Sequence, residues 1–152
     1  MEINKILWPT DFSENAAKAL PYVTSLSEKY GTEIHVLYVL EAWGQFGSWY
    51  GDYGDQKEID RIQDWAKETA EKRLGELCKN HLSGCPLYIR HIAVGEPAEE
   101  ILKLIDQEKV DLVLMATHGD KARYDFGNVA GRVVKNAPVP VLTIPVSSSG
   151  NS

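Results

Sequence analysis

The chain reads as an α/β protein: an open, mainly parallel five-stranded sheet with helices on both faces and strand order 3-2-1-4-5. Two observations carry this. Short apolar runs alternate with stretches of helical periodicity along the whole length, which is how βα units look in sequence. One of those runs, Val110 to Gly119, ends in small and polar residues and leads through a polar loop to Gly127-Asn128 and a helical pattern. A strand feeding a glycine-bearing loop and then a helix N-terminus is how such folds make anion sites, because first-turn N–H groups point outward and the helix dipole favours negative charge.

The elements follow in order. Lys5 to Trp8 is a short apolar strand that stops at Pro9-Thr-Asp-Phe12. Ser13 is a good N-cap with Glu14 in the first turn. Ala16, Leu20, Val23 and Leu26 then recur at helical spacing up to Gly31, so one helix is expected there. Glu33 to Leu40 is nearly continuous apolar, as a strand covered on both faces would be. Residues 42–56 hold four glycines and five aromatics. This loop has two readings, a lid that stacks Trp43, Phe46, Trp49 or Tyr50 on a planar ligand, or a cover for the sheet end or a second subunit. Ile59, Ile62, Ala66, Ala70, Leu74 and Leu77 trace one face of a long helix from about Lys57 to His81. Leu87 to Val94 is the third strand. Gly95-Glu-Pro-Ala-Glu-Glu100 starts a helix with proline in its first turn, and Ile101, Leu102, Leu104 and Ile105 form its buried face. Asp111 to Met115 is the fourth strand and Val139 to Ile144 the fifth, with Pro140 removing one ladder donor. That suits an edge strand open to pairing with a second chain.

Composition narrows the function. With 152 residues, 43% apolar and 25% charged, the chain suits one globular domain, here 1–146, followed by a frayed tail at 147–152. A net charge of −6 argues against nucleic acid as a main partner, since phosphate backbones need a basic face. No apolar run approaches a membrane span, no secretory signal is expected, and the cytoplasm is the default location. Cys78 and Cys85 lack Cys-x-x-Cys spacing and are expected as reduced thiols. No Walker A lysine, nucleophile elbow or metal-ligand cluster stands in the sequence, so no catalytic residue and no protein-held metal is expected.

In an open parallel sheet, ligands sit at the carboxyl ends of the strands where the winding direction reverses. The candidate site therefore joins the loops after the first, second and fourth strands.

At these residues the chain resembles the universal stress protein family over almost its whole length. Lys5-Ile-Leu-Trp-Pro-Thr-Asp-Phe-Ser13 resembles the family's opening strand and Asp-bearing turn. Val94 to Leu102 resembles the start of its third helix. Met115-Ala-Thr-His-Gly119 and Gly127 to Val141 resemble its C-terminal signature. The resemblance implies a stress-response role, a homodimer joined through the last strand (Val139 to Ile144), a further protein partner, and in many members a bound adenine nucleotide. It implies as site residues Pro9, Thr10, Asp11, Val39, Met115, Ala116, His118, Gly119, Gly127, Asn128 and Val129, with ATP, ADP or AMP as ligand and Mg²⁺ accompanying a polyphosphate.

The ATP-binding members carry Gly, two residues, Gly, nine residues, then Gly-Ser or Gly-Thr. Here Ala116 stands for the first glycine, seven residues (120–126) separate Gly119 from Gly127, and Asn128 follows. Alanine gives up close backbone approach to a phosphate, and the shorter loop, holding Asp120 and Asp125 beside Lys121 and Arg123, carries no net positive charge. Asn128 still offers a cap and an amide donor. A ligand with fewer phosphates is expected. Asp11 has two compatible readings, contact with the adenosine part of a ligand or a cap on the first helix, for which Asp11 and Glu14 have capping-box spacing. His118 is a candidate proton carrier by residue type, but without a companion nucleophile or carboxylate in register it reads as structural.

Overall fold

A computed structural model describes residues 2–41, 56–85, 87–117 and 126–146. Met1, the aromatic loop 42–55, Pro86, His118, Gly119, the loop residues 120–125 and the tail 147–152 lie outside them.

The elements are β1 (Lys5–Pro9), α1 (Glu14–Ala17), α2 (Leu20–Tyr30), β2 (Glu33–Leu40), α3 (Gln56–His81), β3 (Leu87–Val94), α4 (Pro97–Glu108), β4 (Leu112–Ala116), α5 (Phe126–Asn136) and β5 (Val141–Ile144). The five strands form one sheet in the order β3-β2-β1-β4-β5, and all four pairings are parallel. This is the architecture expected from the sequence.

Side chains alternate across the sheet and divide the core in two. Ile6, Trp8, Ile34, Val36 and Leu114 pack with Val23 of α2 and with Leu74 and Cys78 of α3. Leu7, Leu37, Val113 and Met115 pack on the other face with Ile101 and Ile105 of α4 and Val133 of α5. Because β1, β2 and β4 are covered on both faces, they carry apolar residues at consecutive positions.

The single helix expected from Ser13 to Gly31 is two. Pro21 has no N–H to bond back to Ala17, so the ladder breaks there. The chain crosses the gap with three-residue turns, Lys18 N–H to Asn15 O at 3.1 Å and Ala19 N–H to Ala16 O at 3.2 Å. Gly31 ends α2 at φ 66°, a left-handed cap that glycine adopts without a Cβ clash. The last strand starts at Val141, not Val139. Pro140 lies before it and costs no ladder donor; its carbonyl accepts from Val113 N–H at 3.1 Å. β4 runs one residue later than expected, through Ala116.

Asp111, at the entry to β4, ties the amino ends of the central strands together. Its Oδ2 accepts from the backbone N–H groups of Asn4 and Lys5 at 2.9 and 3.0 Å, and its own N–H donates to Lys5 O at 2.8 Å. Cys78 is buried and Cys85 half-buried, both as free thiols, and burial pushes the Cys78 thiol up to about 11. No helix among the described residues is long and apolar enough to cross a membrane.

Candidate functional site

The winding direction reverses between β1 and β4, the strand pair at the middle of the sheet. The structure places several of the residues named from the sequence at the carboxyl ends around this point.

Pro9 closes β1, and Thr10 continues its register with N–H donating to Leu37 O at 2.8 Å. The chain then turns through three side-chain hydrogen bonds in succession. Thr10 Oγ1, on a buried residue, accepts from Phe12 N–H at 3.1 Å. Asp11 Oδ1 accepts from Ser13 N–H at 2.9 Å. Ser13 Oγ accepts from Ala16 N–H at 3.1 Å and is the N-cap of α1. The helix-capping reading of Asp11 is thus corrected: Ser13 caps the helix, and Asp11 holds Ser13 in place. One oxygen of the carboxylate is fixed by the turn, which sets the direction of the whole group.

Phe12, inside this turn, has φ 67°. A side chain with a Cβ in the left-handed region costs roughly 1–2 kcal/mol. Two contacts hold the ring there: Tyr38 of β2, with centroids 4.5 Å apart and planes tilted by 31°, and the Arg73 guanidinium of α3, 4.5 Å from the ring centre. Neither glycine nor asparagine marks the spot, so the sequence carries no local signal for this conformation.

Val39, near the end of β2, pairs with Ala93 of β3 and packs against the core that α4 and α5 cover. Met115 and Ala116 are buried at the end of β4, paired with Thr143 and Ile144. Thr117 follows, its N–H donating to Ile144 O at 3.0 Å and its Oγ1 accepting from Val146 N–H at 3.2 Å. Among the described residues the non-glycine positions with positive φ are Phe12 and Lys109. Ala116 therefore sits in regular strand, and its backbone needs no glycine; any cost of its methyl is one of space. Gly127 and Asn128 lie within the first turn of α5, and Val129 packs against the second core. His118 and Gly119 fall outside the described residues. Pro9, Thr10, Asp11, Met115 and Ala116 thus lie at the ends of the two strands that flank the switch point. Val39 stands one strand further out, and Val129 below in the α5 packing.

A second polar cluster escaped the sequence reading. His35 of β2 is fully buried, and its Nδ1 stands 2.8 Å from His91 Nε2 of β3, the rings stacked with centroids 5.1 Å apart. Burial lowers the pKa of both imidazoles. For His35, the neighbouring Glu33 and Glu108 oppose that and Lys5 adds to it; for His91, repulsion from His35 adds to it, against Glu108 and Glu33. One neutral ring can donate to the other, whereas two protonated rings at this distance would repel in a dry site. His91 also lines a cavity of about 370 Å³ between β3 and α4, with Glu100, Lys103 and Gln107. Among the described residues no group of three or more His, Cys, Asp or Glu could hold a metal ion.

Three comparisons bear on this fold. The family model described as the universal stress protein family matches residues 2–145. Universal stress protein MJ0577 of Methanocaldococcus jannaschii is 31% identical over 157 residues, which cover 95% of this chain and 96% of that protein. Its structure superposes with a TM-score of 0.80 at 27% identity, over 97% of this chain and 99% of that one. A universal stress protein solved in complex with cAMP shares the fold at a TM-score of 0.61 and 16% identity, over 97% of this chain and 100% of that one. A universal stress protein family member of Arabidopsis thaliana, solved with AMP bound, does so at 0.60 and 17%, over 98% and 95%.

Proposed function

Because the chain belongs to the universal stress protein family, we propose that it is a regulatory stress-response module that holds an adenine nucleotide in the crevice between β1 and β4. The observation that carries this reading is the Thr10–Ser13 turn at the carboxyl end of β1, where the Ser13 N–H holds one oxygen of the Asp11 carboxylate beside the switch point. Family members solved with AMP and with cAMP support it, since each carries an adenine nucleotide on this fold.

In this reading Asp11 accepts from a ribose hydroxyl and Val39 offers apolar contact to the base. Met115 and Ala116 at the end of β4, and Gly127, Asn128 and Val129 at the start of α5, take the phosphate side; the family resemblance adds His118 and Gly119 to that set. A ligand with one phosphate suits the shortened, charge-balanced loop better than ATP does. Mg²⁺ would accompany a polyphosphate ligand. The role is regulatory rather than catalytic, in the cytoplasm, in a homodimer that engages a further protein.

Calorimetric titration with AMP, ADP and ATP, with and without Mg²⁺, tests this. Binding of AMP at least as tight as ATP, with little Mg²⁺ dependence, is expected. No heat of binding at millimolar nucleotide would sink the proposal.

A second reading rests on the β5 edge. Leu142 and Val134 are exposed apolar residues on β5 and the adjacent α5, 41% and 51% accessible. A nucleotide-free protein could act through a dimer formed by this edge. Failure of all three nucleotides to bind, together with a dimer mass in solution, would favour it.

A further inference from the structure

The nucleotide reading leaves one feature of the crevice unexplained: a bulky residue held in the left-handed backbone region immediately after Asp11. Glycine fits that region freely, and asparagine or aspartate more readily than other residues. Here the position is phenylalanine, at φ 67°. Its N–H is bound by Thr10 Oγ1 at 3.1 Å, and its ring is anchored to two further elements, β2 through Tyr38 and α3 through Arg73. Residues in sparsely populated conformations persist only where their surroundings over-determine them, and they cluster at ligand clamps.

Asp11 stands between two fixed points, Thr10 in the sheet register and the anchored Phe12. Its Oδ1 is bound to Ser13, just beyond that anchor. If the peptide at Phe12 left the left-handed region, the N–H of Ser13 would swing away and the carboxylate would lose its orienting bond. We propose that Phe12 is a positioning residue for the nucleotide crevice, its ring acting as an anchor to β2 and α3 that keeps the turn in the form that orients Asp11. This rests on the nucleotide reading and adds to it: ligand affinity depends on a residue whose ring packs on Tyr38 and Arg73 and that acts through Asp11.

The test separates this role from simple core packing. AMP is titrated calorimetrically into wild type, Phe12→Gly and Phe12→Ala, each with and without the further substitution Asp11→Asn, and thermal melts are recorded alongside. Both Phe12 variants lose the ring, but glycine enters the left-handed region freely and alanine does not. The expected affinity order is therefore wild type, then Phe12→Gly, then Phe12→Ala, with the alanine variant weaker by about tenfold, the factor set by the left-handed penalty. In the Asp11→Asn background these differences should collapse, because the residue they act through is gone.

Equal affinities, a glycine variant weaker than the alanine variant, or the same fold-loss in the Asp11→Asn background as in the wild-type background would each overturn the proposal. If Asp11→Asn binds too weakly to rank, the glycine-over-alanine order decides. If Phe12→Ala does not fold, Arg73→Gln, at an exposed position on α3, takes its place: a loss of affinity that vanishes with Asp11→Asn supports the anchor, and an unchanged affinity overturns it. Wild-type protein that binds no AMP removes the nucleotide reading and this inference together, whereas normal binding with a silent Phe12 removes only the inference.

Discussion

Replacing both His35 and His91 with leucine should flatten the acid side of the stability profile. Nδ1 of His35 is 2.8 Å from Nε2 of His91, His35 is fully buried, and burial lowers both pKa values from the ordinary 6.5. The unfolded chain therefore binds more protons than the folded chain below that pH, and stability must fall as pH falls through this window. The groups facing the pair are Glu33, Glu108 and Lys5, and Glu33 Oε1 stands 3.5 Å from His35 Nε2, so the carboxylates moderate the effect without reversing its sign. If both imidazoles stay neutral in the folded chain, each costs about 1 kcal/mol between pH 6.5 and pH 5.5, or roughly 2 kcal/mol for the pair as an upper limit. Urea unfolding at pH 7.5, 6.5 and 5.5 measures it, with the slope of free energy against denaturant held in common. The wild type should lose stability across the lower interval, and the double leucine variant should lose less by up to that amount. Equal losses in the two proteins would refute the reasoning.

Asp111→Ala removes the acceptor for two backbone N–H groups at the start of β1 and should lower stability by about 1.5–3 kcal/mol, read from the urea midpoint. A midpoint unchanged from wild type would show that water replaces the carboxylate at no cost. Leu74→Ala, in a fully buried position in the core between α3 and the sheet, should cost about 2–5 kcal/mol by leaving a cavity, with nucleotide affinity preserved while the fold persists. Leu142→Lys places a charge on the exposed β5 edge, which edge strands commonly use to block pairing. Light scattering at micromolar protein should then give a monomer mass where the wild type gives a dimer, and a wild-type monomer would end the β5 dimer reading.

Much of the fold was legible because alternating strands and helices leave few topologies open. Runs such as Ile34 to Leu37 announce a strand covered on both faces, and right-handed crossovers then confine the strand order. Ser13 was legible as a cap and Gly31 as a stop, because each acts within one helical turn of itself. The break between α1 and α2 was marked by Pro21 but overridden by the apolar period of Ala16, Leu20 and Val23, which the split helices retain. Pro140 was misplaced by one step, since a proline just before a strand and one inside it look alike until the partner strand is seen.

The sequence by itself determined the family and the sheet and pointed to the residues of the proposed crevice, through local periodicity and short motifs. Only the tertiary structure decided how that neighbourhood is held. Asp11 and Glu14 offered a capping box, yet Ser13 took the cap and left Asp11 to brace it. Phe12 lies in a left-handed turn because Tyr38, from β2, and Arg73, from α3, close on its ring. His35 and His91 are 56 positions apart and meet only because β2 and β3 pair in a register that sets His91 opposite Leu37, two residues beyond His35. The physical reason is the same in each case. A pattern within one element reports its own backbone, while strain, proton sharing and side-chain direction depend on groups that the sheet brings together from distant parts of the chain.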